Sequence, residues 1–347
     1  MGLVLEWLER RLGSRGHTVG LVRQRSAELL SHGNGTLWSS PIGLSRAQLA
    51  GVIGNDRLSR LSSQFHNRGS RQHLLNIAWY GSVIADVSCG VSDPNREGIL
   101  REGALFNLAV ALYDTTVEEF AHLRPELIAG FDGHRIRDRL EGRTISPLTS
   151  AQPALGDLMF LCDSLLSSVR LRLQSTPARL SYLAGLLERM YTSEVTKQGD
   201  RRDAKMLPIV FICALGEDVL ANTRLQFPTA LARWLSLMDD WQDLGRDVWA
   251  RRANQFVLPQ DGLSWHLVPY GIRALHLVFG GRSSRNRTAD LLLSSLNDLV
   301  VSAEQVGADT AFKTRAFALM LLDLQSCSGQ RRASDYSNVA GCRPTSQ

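Results

Sequence analysis

Apolar side chains recur along this chain at intervals of three and four residues, the spacing that lines one face of an α-helix. The runs include Leu105, Leu108, Ala109 and Leu112; Leu155, Leu158, Leu161, Leu165 and Val169; and Leu180, Leu183, Leu186, Leu187 and Met190. Leu231, Trp234, Leu235, Met238 and Trp241 form another, and the pattern continues through Leu291, Leu292, Leu296, Leu299 and Val300 to Phe317, Met320, Leu321 and Leu324. Strict alternation, the mark of a half-buried strand, is scarce, so the pattern predicts an all-α fold of about ten to twelve helices. Breaks fall at residues 92–95, 130–133, 146–147, 175–177, 227–228 and 258–259. Asp93 and Pro94 read as the N-cap and first position of a helix beginning near Asn95. Pro228 requires its helix to start there or to be kinked.

Segment lengths favour a single helical domain over residues 66–327. Residues 1–65 read as an N-terminal helical cap, part of that domain or packed on it. Residues 328–347 are polar and aperiodic, and read as a disordered tail. Of the 347 residues, 44% are hydrophobic and 21% charged, which excludes disorder as the main state. No apolar run approaches the ~20 residues needed to cross a bilayer, and Glu6 and Glu9 interrupt any signal-like start. A cytoplasmic protein without a transmembrane segment is therefore expected. Cys89, Cys162, Cys213, Cys327 and Cys342 are odd in number and scattered, which excludes a disulfide framework or a cysteine zinc site. The net charge is +5, and all but three of the 39 basic residues are arginine. They are dispersed among acids, unlike the basic stripe that binds nucleic acid. Most of the arginine bias is compositional, which leaves a minority as candidates for meeting phosphate.

Two acidic clusters interrupt apolar helices. The first is Tyr113-Asp114-Thr115-Thr116-Val117-Glu118-Glu119, and the second runs from Met238-Asp239-Asp240-Trp241-Gln242-Asp243 to Arg246-Asp247. At about 100° per residue, Asp114 and Glu118 share one face, and Asp239, Asp243 and Asp247 make a column with Asp240 at its edge. Like charges one turn apart repel, and burying them is costly unless a cation intervenes. Mg²⁺, which bridges carboxylates to substrate phosphates, suits such columns. The bland alternative for each cluster is a solvated acidic face.

Paired aspartate-rich motifs on the helices of an all-α chain resemble the trans-isoprenyl diphosphate synthase and class I terpene synthase superfamily. Asp114-Thr115-Thr116-Val117-Glu118 is similar to the first motif of the squalene and phytoene synthase branch. The stretch from Phe227-Pro228 through Asp239-Asp247 to Asn254-Gln255-Phe256-Val257 resembles the class IB large-terpene synthases typified by tetraprenyl-β-curcumene synthase. The similarity covers roughly residues 100 to 260. The first motif ends in Glu, and neither an NSE motif nor a terminal Arg-Tyr pair is present, which favours the squalene-synthase-like type.

The resemblance implies a helical barrel around a central apolar cavity. It also implies a Mg²⁺-dependent terpene synthase, a lyase that ionises a linear prenyl diphosphate and cyclises or rearranges the allylic cation. Carried over, Asp114, Glu118 (with Glu119 as a substitute), Asp239, Asp240, Asp243 and Asp247 ligate a cluster of two or three Mg²⁺ ions, with Asp114, Asp239 and Asp243 catalytic. The metal stabilises charge on the leaving diphosphate. Arg246 and Lys205, with Arg201 and Arg202 nearby, are candidates for its oxygens. Phe106, Tyr113, Phe160, Tyr191, Trp234 and Trp241 are candidates to line a dry cavity and stabilise the cation, although core packing is the commoner role for such a side chain.

A chain-building prenyltransferase is the alternative within the superfamily, and a non-catalytic helical scaffold the alternative outside it. Glu119-Phe120-Ala121-His122 matches one ExxH unit of a di-iron bundle, which requires a second that the chain lacks. The partners expected are a prenyl diphosphate and no nucleic acid; a homodimer is admitted. The N-x-[ST] matches at Asn34 and Asn286 are attributed to chance.

Overall fold

In the computed structural model the described residues are 15–35, 37–38, 42, 44–66, 73–90, 93–119, 125–126, 129, 133–143, 150, 153–195, 201–216, 226–250, 254–257 and 281–339. For some helix residues, among them Glu118, Glu119 and Arg246, only the backbone is described. These residues form twelve α-helices and no strand. They are α1 Arg15–Arg25, α2 Arg46–Ile53, α3 Asn55–His66, α4 His73–Ser88, α5 Arg96–Glu119 and α6 Gly133–Glu141, then α7 Pro153–Leu173, α8 Pro177–Met190, α9 Arg201–Gly216, α10 Gln226–Ala250, α11 Gly281–Val306 and α12 Ala308–Val339. A π-helical segment, Tyr191–Val195, extends α8. Among the described residues, no helix is long and apolar enough to cross a membrane.

Helix starts follow local chemistry. The Asp93 carboxylate accepts from Asn95 N at 2.7 Å and its carbonyl from Arg96 N at 3.0 Å, so Asp93 opens α5 as expected. Pro228 lies in the first turn of α10, where a missing N–H removes no helical bond. Ser45 caps α2 through a reciprocal pair: its Oγ accepts from Gln48 N at 3.2 Å, and Gln48 Oε1 accepts from Ser45 N at 2.9 Å.

The helices fall into two compact units, Met1–Leu37 with Arg233–Glu304 and Ala311–Gln347, and Trp38–Ala232 with Gln305–Thr310. This division cuts the chain at 37/38, 232/233, 304/305 and 310/311. Helices α2 and α3 belong with α4 to α9: Arg60 of α3 grips Asp157 of α7 through Nε at 2.9 Å and Nη2 at 2.7 Å. The helical backbone of α12 also continues into the stretch expected to be an aperiodic tail, as far as Val339.

In the Trp38–Ala232 unit, α4 and α5 cross backbone to backbone. A Cβ added at Gly81 would sit 2.3 Å from the Gly103 carbonyl oxygen, and one at Gly103 would sit 2.7 Å from that of Gly81. Ser82 Oγ donates to the Leu100 carbonyl at 2.9 Å, and Asn107 Nδ2 to that of Ile77 at 2.7 Å. Phe106 packs on Phe211 with ring centroids 4.4 Å apart. Arg179 Nη2 satisfies two of the orphan carbonyls ending α9, Ala214 at 3.1 Å and Leu215 at 2.9 Å.

In the other unit, the turn after α1 lies close against α12. A Cβ on Gly33 would meet the Arg315 backbone carbon at 2.7 Å, and Arg315 Nε donates to the Leu29 carbonyl at 3.0 Å. Trp234 meets Phe317 edge-on at 6.4 Å, within a core that includes Leu235, Met238, Leu292, Leu296 and Leu299.

Candidate functional site

Helix α10 carries the second acidic cluster. Its apolar residues Phe227, Leu231, Trp234, Leu237, Met238, Trp241 and Leu244 are buried, and the four aspartates grade from solvent to core. Asp239 is exposed and Asp243 half-buried, whereas Asp247 is 7% and Asp240 2% exposed. Helical geometry explains the order. Each step of four residues advances about 40° beyond a full turn, so Asp243 is ~40°, Asp247 ~80° and Asp240 ~100° around from Asp239. The one-sided column expected over i, i+4 and i+8 is thus corrected to a spiral, with an outward pair (Asp239, Asp243) and an inward pair (Asp247, Asp240).

The inward pair is bound to the turn 254–257. Asn254 Nδ2 donates to Asp247 Oδ2 at 2.9 Å and to the Asp240 carbonyl at 2.6 Å. Gln255 N donates to Asp240 Oδ2 at 3.0 Å, and Gln255 Nε2 to Ser236 Oγ at 3.0 Å. Val257 and Phe256 pack with Leu244 and Val248 beneath these bonds. The sequence reading treated Asn254 and Gln255 only as the segment trailing the motif; their roles as donors to Asp240 and Asp247 come from the folded chain. The signal available was a pair of amide side chains just beyond the end of an acidic helix.

The first cluster ends α5. Asp114 is exposed, Tyr113 is half-buried, and Thr116 is buried with its Oγ donating to the Leu112 carbonyl at 2.8 Å. The side chains of Glu118 and Glu119, and His122 altogether, lie outside the described residues, as do those of Arg246, Arg201 and Arg202. Lys205 is exposed on α9. Asp114 belongs to the Trp38–Ala232 unit, and Asp239, Asp240, Asp243 and Asp247 to the other.

Of the candidate cavity aromatics, Phe106 and Trp234 are buried against Phe211 and Phe317, and Trp241 is buried. Phe160 is half-buried with the Arg57 guanidinium 3.8 Å from its ring centroid. Tyr113 and Tyr191 are half-buried. An open hollow of about 540 Å³ at the α2–α3 junction is lined by Ile53, Gly54, Asn55, Asp56, Arg57 and Arg60, none of them a predicted site residue.

Among the described residues, no three His, Cys, Asp or Glu side chains are grouped to hold a metal ion. Mg²⁺ is usually held by one or two carboxylates, with waters and substrate phosphates completing its shell. Asp239 and Asp243, hard oxygen donors one turn apart at the outward edge of α10, fit that donor chemistry. On α7, burial, reinforced by Asp163, pushes the Cys162 thiol up to about 12, far from a reactive thiolate. No protein-family model, curated protein or solved structure matches the chain.

Proposed function

We propose that this protein is a Mg²⁺-dependent enzyme of prenyl diphosphate chemistry, a terpene synthase that ionises a linear prenyl diphosphate and cyclises or rearranges the chain. The observation that carries this reading is the outward pair Asp239 and Asp243 on a helix whose apolar residues, Trp234 and Trp241 among them, are buried. Bound Mg²⁺ supplies electrophilic stabilisation of the charge that develops on a departing diphosphate. Asp239 and Asp243 hold the ion as hard oxygen donors. Arg246, on the same helix, binds diphosphate oxygens. Trp241 supplies a ring face that favours a cation and excludes water.

The test incubates the purified chain and Mg²⁺ with geranyl, farnesyl, geranylgeranyl and longer prenyl diphosphates, each alone and with isopentenyl diphosphate. The expected result is diphosphate release with a hydrocarbon or alcohol formed from a single substrate. A longer prenyl diphosphate formed only with isopentenyl diphosphate would replace the cyclase by a prenyltransferase. No release from any substrate would leave a non-catalytic scaffold.

A further inference from the structure

We propose that Asn254 is a positioning residue for the outward carboxylate pair, an inference that rests on the function proposed above. Asn254 is 1% exposed, and each end of its side-chain amide is engaged. Nδ2 reaches Asp247 Oδ2 and the Asp240 carbonyl, while Oδ1 accepts from Phe256 N at 3.1 Å and so holds the turn that Val257 N closes on the Asn254 carbonyl at 3.0 Å. Gln255 adds the bonds to Asp240 Oδ2 and Ser236 Oγ. The turn is therefore tied to α10 from Ser236 to Asp247, over about three helical turns.

These ties fix the rotation of α10 about its own axis. Because Asp240 and Asp247 lie ~80–100° around from Asp239, holding them inward holds Asp239 and Asp243 outward. The device requires an amide at position 254. Aspartate cannot donate and would set a third carboxylate beside Asp247, and alanine neither donates nor accepts. Asn254 thus acts on the ion at one remove further than a group bonded to a metal ligand: the bonds its Nδ2 donates go to Asp240 and Asp247, and it reaches Asp239 and Asp243 only through the setting of α10.

The experiment uses the full chain and Mn²⁺ as the probe ion, read by electron paramagnetic resonance, alongside hydrogen exchange of the 254–257 amides. Asn254→Ala and Asn254→Asp should weaken Mn²⁺ binding severalfold, less than the roughly 10–100-fold typical of a group bonded directly to a metal ligand, and release the protection of these amides. Asp239→Asn should abolish binding and leave the protection intact. Folded Asn254 variants that bind Mn²⁺ as the wild type does would overturn the positioning role and leave the proposed function standing. A wild type that binds no Mn²⁺ while its 254–257 amides are protected would overturn the proposed function and the positioning role together. If the Asn254 variants do not fold, Gln255→Ala, which removes the side-chain amide that donates to Ser236 Oγ, decides the matter: severalfold weaker Mn²⁺ binding supports the latch, and unchanged binding overturns it.

Discussion

Among the described bonds, the buried carboxylates of the two units meet different donors. In the Trp38–Ala232 unit they meet guanidinium groups. Glu102, wholly buried on α5, accepts from Arg172 Nε at 2.9 Å and Nη2 at 2.5 Å, with Ser168 Oγ at 2.9 Å on its other oxygen. Asp86 accepts from Arg96 Nε at 2.9 Å and Trp38 Nε1 at 3.0 Å, and the half-buried Asp163 accepts from Arg139 Nε at 2.6 Å and Nη2 at 3.0 Å. On α10 the donors described for Asp240 and Asp247 are amides of the turn 254–257. A guanidinium pair cancels charge and locks helix to helix, whereas an amide donor orients a carboxylate without cancelling its charge. The first arrangement is architecture. The second shapes an acidic helix edge whose remaining members, Asp239 and Asp243, point outward.

The sharpest break of this comparison is Arg172→Ala. It strands the buried Glu102 charge and should cost about 3–5 kcal/mol in denaturant unfolding. Replacing Glu102 and Arg172 together by methionine should recover most of that loss, because a buried ion pair stabilises little over an apolar pair of similar volume. Asp247→Ala on α10 should cost less, about 1–3 kcal/mol, from an Asn254 amide left without that acceptor. Gly103→Ala falls in a similar range, about 1–3 kcal/mol, since its Cβ would have to push α4 away. Asp240→Asn should be milder still, because the new amide keeps an oxygen for Gln255 N.

A further break concerns pH. The Cys162 thiol, ordinarily near 9.0, is pushed up to about 12 by burial and by Asp163. Above about pH 9 the unfolded chain loses this proton first, so stability falls as pH rises towards 12. Melting curves of the wild type and Cys162→Ala should converge over that window.

Helix positions were legible because apolar periodicity reports the buried face of each helix, and Asp93 and Pro228 marked starts that the fold obeys. Periodicity does not report which helix covers a face, so the boundaries at 37/38 and 232/233 were not readable. Phe106 and Trp234 illustrate the same limit: a large ring lining a hollow and one stacked in a core have the same sequence signature. The acidic ladder was legible as a cluster, but its division into outward and inward pairs depends on helical drift accumulated over eight residues. The bonding role of Asn254 was not legible because its bond to the Asp240 carbonyl, fourteen residues back, exists only after the chain has turned onto α10. The guanidinium partners of Glu102 and Asp157 are equally tertiary, and they account for several arginines that composition alone left unassigned.

The central claim is that α10 separates two working carboxylates from two structural ones. Mg²⁺-dependent diphosphate release from prenyl diphosphates, measured beside melting temperature for Asp239→Asn, Asp243→Asn, Asp240→Ala and Asp247→Ala, tests it most directly. The account predicts that the first two lose release with melting unchanged and that the last two lower the melting temperature. It would be contradicted if Asp239→Asn and Asp243→Asn released diphosphate as the wild type does, or if the wild type released none.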